Sequence, residues 1–215
     1  MLFWQRALKV LLLSITIGVS SRSAIGHEHE FGISIQPEFL ALPAISDTAQ
    51  DHTISLGVGG GLGFEYYVAQ YLALVLSNSY AHSVVQSKIS PTVKFDRLGD
   101  YTFNQDGFLS LLGLRLESPS WWLPVSFFLK LAGGFAVLIQ TNGQLLDANN
   151  QAYDFTFPTS VNVKPVISIG NGFFVRVADQ IRFNTEFSVE LLPIQPVLVG
   201  FGVSLGITFL FFGGH

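Results

Sequence analysis

The stretch QPVLVGFGVSLGITFLFFGGH, residues 195–215, decides the fold. From Val197 to Phe211 every second residue is large and apolar: Val197, Val199, Phe201, Val203, Leu205, Ile207, Phe209 and Phe211. Between them stand Leu198, Gly200, Gly202, Ser204, Gly206, Thr208 and Leu210, five of which are Gly, Ser or Thr. Successive side chains of a pleated strand point to opposite faces, so this period of two predicts a strand with one bulky apolar face and one small face. Which face meets water determines the kind of protein.

Seven further segments carry the same alternation, at 31–41, 53–67, 71–80, 108–117, 124–140, 160–175 and 181–192, making eight in all. The links between them alternate in length. Short ones fall near 68–70, 118–123 and 177–180, and longer polar ones near 42–52, 81–107 and 141–159. The link around Pro193 to Pro196 is short and breaks the rule. Eight antiparallel strands with alternating short turns and long loops put both chain ends on the short-turn side.

Charged residues make up only 12% of the 215, while Phe alone occurs 20 times and mean hydropathy is positive. A soluble domain carries roughly 25% charge. Outside the N-terminus no apolar run is long enough for a helical membrane span, so strands are the expected way of crossing. At the N-terminus, Arg6 and Lys9 precede the apolar run Val10 to Val19, and small residues follow. That layout predicts a signal peptide over 1–26, with residues 27–215 as the barrel domain. Its removal leaves 8 basic residues against 15 acidic, which argues against nucleic acid as a partner. The chain has no Cys, so disulfides and a lipid-modified cysteine are excluded.

Turned outward to water, the face bearing Gly59, Gly61, Gly63, Gly134, Gly170, Gly172, Gly200, Gly202 and Gly206 would make a poor surface. Turned inward, it suits the crowded interior of a narrow closed barrel. The apolar faces then meet lipid, where closure of the sheet satisfies the backbone hydrogen bonds. The same inversion puts Glu65, Glu117, Glu186 and Glu190 in the lumen with Arg115, Lys130, Lys164 and Arg182. Buried charges persist when paired, so a salt-bridged plug is expected. Tyr66, Tyr67, Tyr71, Trp121, Trp122 and Phe173 sit near the short turns and are expected to form an interfacial aromatic girdle. Pro37 and Pro165 have no amide hydrogen and are expected at bulges or strand ends.

In these features the mature chain resembles the small eight-stranded outer-membrane barrels of Gram-negative bacteria, the OmpA/OmpX type. Within the last strand, Ser204, Gly206, Phe209 and Phe211 are similar to the terminal signal by which such barrels are handed to the assembly machinery, although Phe212-Gly213-Gly214-His215 follow here. The resemblance implies a monomer in outer-membrane lipid, with the barrel-assembly machinery as a partner during biogenesis. His27-Glu28-His29-Glu30 resembles the His-led acidic start of the OmpW group, whose members pass small hydrophobic compounds.

Two chemistries need weighing. After cleavage at Gly26 the new amine, two amides and the imidazole of His29 could hold a square-planar metal ion, with His27 as first residue. His82-Ser83, with Asp96, Asp100 or Asp106, has the residue types of a hydrolase, but adjacent residues on a strand point apart. No enzyme and no cofactor are expected. The expected role is structural, or one of surface interaction through the external loops; the alternative is a small channel or carrier for hydrophobic or small solutes.

Overall fold

The structure, a computed structural model, describes residues 29–43, 54–88, 100–119, 124–146, 152–157, 159–193 and 197–211. The expected signal peptide, His27, Trp121, Trp122 and Asp96 lie outside the described residues. Among the described residues nine strand segments form: β1 Phe31–Pro43, β2 Ile54–Ala69, β3 Leu72–Lys88, β4 Asp100–Glu117, β5 Val125–Leu146, β6 Ala152–Phe157, β7 Ser160–Ala178, β8 Ile181–Leu192 and β9 Leu198–Phe211. Along β5 the short β6 continues β7 in one register, with Gly143 opposite Phe157 and Gln140 opposite Ser160. The nine segments therefore make eight staves.

Each stave pairs antiparallel with its neighbours, and the β1–β9 and β4–β5 ladders leave no open edge. The architecture is a closed eight-stranded antiparallel barrel. Its stagger follows from the register. Starting at Leu191, hydrogen-bonded partners lead through Ile167, Gly133, Leu112, Leu76, Phe64, Ile33 and Phe209 back to β8 at Ile181. The return falls ten residues from the start, a shear that tilts the strands by roughly 40° for eight staves.

The alternation decides which side is which. On β5, Leu129 is 62% exposed and the adjacent Lys130 only 6%. On β9, Phe201, Val203, Leu205, Ile207, Phe209 and Phe211 all face out, whereas Gly202, Ser204, Gly206, Thr208 and Leu210 are buried inside. The Val/Phe face quoted at the outset is the outer wall, and a lipid bilayer is the solvent it suits.

The structure corrects two expectations. Much of 81–107 and 141–159 is strand, because β3 continues to Lys88, β4 begins at Asp100, β5 reaches Leu146 and β6 begins at Ala152. The sheet on this side climbs far above the β8–β9 rim, which stops at Leu192 opposite Leu198. Pro37 marks neither a bulge nor a strand end. It pairs with Gly60 in unbroken β1–β2 register, and on its other side the β1–β9 ladder omits Gln36 and Pro37 and resumes unshifted at Glu38. A missing amide hydrogen interrupts the bonds without displacing the strand. Pro165 stands beyond the last β7–β8 pair, Ile167 with Leu191.

Candidate functional site in the barrel lumen

Inward side chains fill the lumen in tiers. At the short-turn end, β4 supplies Arg115, whose Nη2 donates to Glu65 Oε2 at 2.5 Å and whose Nε donates to Glu117 Oε1 at 2.9 Å. Tyr67 donates its hydroxyl to Glu117 Oε1 at 2.5 Å and accepts from Arg115 at 3.1 Å. Arg182 pairs with Glu65, donates to the Tyr67 hydroxyl, and lies with its Cζ 4.5 Å from the centroid of Phe174. Arg115 similarly covers Phe128 at 5.4 Å. Below this cluster Arg176 forms an ion pair with Glu30 at 3.7 Å. Three acids thus meet three bases, and the rings of Phe128 and Phe174 lie against the Arg115 and Arg182 guanidiniums.

The middle tier is built differently. Lys130 on β5 pairs with Glu186 on β8, across the intervening β7. Gly170 lies beneath the pair: a Cβ there would come within 2.8 Å of Glu186 Oε1 and 3.4 Å of Lys130 Cε, so any side chain at this position would collide with the bridge. Glu190 accepts from Ser168 at 3.0 Å, and Glu38 accepts from Ser79.

Above the ions lies an apolar layer that includes Leu40, Leu42, Leu109, Leu138, Val166 and Leu192. Leu138 and Leu192 expose none of their surface and Leu40 only 1%. Uncharged polar groups close the outer end: Ser55 bonds Ser83 at 3.0 Å, and Ser160 donates to Gln140 at 3.1 Å. Because Tyr67 and Arg182 are also buried to 1% or less, no continuous water column passes beside these described residues.

Among the expected lumen charges, the structure brings Glu65, Arg115, Glu117 and Arg182 into one cluster and Lys130 with Glu186 into another, with Glu190 nearby. Lys164 is a correction. It points inward but has no ion-pair partner among the described residues, because it sits beyond the end of β8 that carries Glu186 and Glu190. Tyr67 is a second correction. It is wholly buried and hydrogen-bonded in the lumen, so it does not belong to the aromatic girdle. Tyr66 and Phe173 do face outward, and Tyr71 lies in the β2–β3 turn. In β9, Ser204 and Gly206 face the lumen and Phe209 and Phe211 face lipid.

Of the residues in the metal reading at the N-terminus, the structure describes only His29. The His29 amide donates to Tyr67 O at 2.9 Å, and its Nδ1 sits 2.7 Å from the Tyr66 hydroxyl. Two of the four atoms the ion would need, both on His29, are thus engaged, and the other two belong to residues 27 and 28, outside the described residues. His82 and Ser83 turn to opposite faces, His82 outward to Asp106 at 2.8 Å and Ser83 into the lumen, so the hydrolase pair is not assembled. Sequence reasoning missed Glu30, Glu38, Arg176 and the apolar layer, although the period of two assigns Glu38 to the face opposite Phe39.

These features define a small closed eight-stranded antiparallel β-barrel with an apolar outer wall. Among solved structures the chain is similar to the outer membrane protein OprG of Pseudomonas aeruginosa, at 12% identity and a TM-score of 0.56, over 87% of this chain and 99% of that one. It is likewise similar to Neisserial surface protein A, at 8% identity and a TM-score of 0.51, over 84% of this chain and 95% of that one. At such identities the likeness is one of fold. No family model matches the chain, and no curated protein does.

Proposed function

We propose that this chain is a non-catalytic barrel resident in the outer membrane, with a structural or surface-interaction role exerted by the wall it raises on the outer side. The observation that carries this reading is the doubly sealed lumen, with an ionic tier at one end and an apolar tier above it. Eight staves leave an interior that side chains can fill, and here they do. A lumen filled in this way among the described residues leaves the outer surface for function. On the raised wall, contacts would be polar, through the amides and hydroxyls that line it and the charges of the connecting segments.

The test is single-channel conductance of refolded residues 27–215 in a planar bilayer. Silence is the expected result. Steady conductance whose ion preference shifts on Lys130→Ala would replace this reading with a channel.

A second reading, passage of small hydrophobic solutes, draws on one observation: the β1–β9 ladder is open at Gln36 and Pro37. With the lumen sealed, such solutes would have to leave through the wall. Solute flux that survives removal of the external segments would favour it.

A further inference from the structure

On the outer wall a groove of about 560 Å³ runs across the staves from β1 to β5. Its shape follows from three small or ring-closed residues where large aliphatics stand elsewhere: Pro37, Gly60 and Ser110. Tyr80 and Phe108, with ring centroids 4.8 Å apart, border it. Most of the lining is apolar, but Asn78 and Ser110 lie within it and face out. Ser110 donates to Asn78 Oδ1 at 2.9 Å, which uses the Asn78 carbonyl and leaves its two amide hydrogens for another acceptor. On the same face Tyr80 donates to Asp106 at 2.7 Å and His82 bonds it at 2.8 Å, forming a polar ladder that climbs from the groove toward the outer rim.

Polar groups on a hydrocarbon-facing wall are costly unless something satisfies them. We propose that the groove holds one acyl chain of an outer-leaflet lipid. An ester carbonyl or chain hydroxyl of that lipid accepts from the Asn78 amide, and its headgroup rests against Tyr80, His82 and Asp106. The groove is continuous with the lipid-facing belt, which already makes lipid its neighbour. Its volume of about 560 Å³ has room for a chain, and its free donors call for an acceptor that an acyl lipid carries at the chain's linkage. The inference rests on the outer-membrane placement proposed above.

The experiment is gentle detergent extraction of the full chain from isolated outer membranes, followed by native mass spectrometry. The wild type should retain one acyl lipid per barrel through delipidating washes. Gly60→Leu, which fills the groove, should lose it, and Asn78→Leu should cut retention at least fivefold while the barrel remains folded by its heat-dependent gel mobility. Phe183→Ala, on β8 across the barrel from the groove, should behave as wild type. Equal retention in all four proteins, no retained lipid, or a second copy of the chain occupying the groove would each overturn the proposal. Absence of the chain from the outer-membrane fraction would instead overturn the placement on which it rests.

Discussion

Arg115 on β4 reaches Glu65 on β2 across a whole intervening stave, and the two meet at 2.5 Å above Ala73 and Val75 of β3. Lys130 and Glu186 repeat the pattern over the glycines of β7. In each case the bridged strand turns small side chains inward, so a long charged pair can lie flat across it. Ion pairing in this lumen thus ties staves that share no backbone hydrogen bonds.

Removing one member of the lower cluster should be expensive. Glu65→Gln leaves two buried guanidiniums, Arg115 and Arg182, to share the single carboxylate of Glu117, and should destabilise by about 3–5 kcal/mol. Adding Arg115→Met should recover part of the loss. Urea unfolding in lipid vesicles measures both, and a double variant less stable than either single one would contradict the pairing.

Two seals imply that neither opens alone. Arg182→Ala should remain silent in a planar bilayer because Leu40, Leu138 and Leu192 still close the lumen above it. Leu40→Gly with Leu138→Gly should also be silent, because the ionic tier remains. The three changes together should conduct. Conductance from Arg182→Ala by itself would show that the apolar tier is no barrier.

Backbone crowding makes a sharper test of packing. An added Cβ at Gly59 would fall on the Tyr80 carbonyl, whereas at Gly133 its nearest neighbour is Val166 O at 3.9 Å. Gly59→Val should therefore lower stability by about 1–3 kcal/mol, and Gly133→Ala should change it little. Comparing the unfolding midpoints of the two variants checks this.

Copper titration tests the N-terminus. Since the amide and ring nitrogen of His29 are both bonded to neighbours, the folded protein should give no absorbance band that disappears in His29→Ala. Such a band would mean that the metal competes successfully for those atoms.

The final strand makes a kinetic prediction. Phe211→Ala removes only an outward ring that lies 6.3 Å from Phe31, so the assembled barrel should keep most of its stability. If Phe211 belongs to the assembly signal, delivery should instead slow markedly. Pulse-labelled insertion against equilibrium unfolding separates the two effects.

The period of two was legible wherever lipid lies outside and the lumen inside, since both environments then select side chains. It failed where only one of them does. His82, Asp106 and Asn104 lie high on β3 and β4, where the outer face no longer needs apolar residues, so a continuing ladder read as a loop. Facing was recoverable even where it was misjudged: Tyr67 follows Glu65 by two and shares its side. Height was not, because the level of Lys164 relative to Glu190 is set by the β7–β8 register, which puts Ser168 opposite Glu190 and is carried by neither strand's own alternation.

The β1–β9 ladder joins Phe31 to Phe211, the two extremes of the barrel sequence. Until that seam forms, the first and last staves each present a bare row of amides and carbonyls. The cylinder cannot be completed stave by stave as the polypeptide emerges, because its first strand waits for its last. Contacts of such long range also form slowly, so the nascent chain must be kept from pairing with other open edges until its final strand arrives.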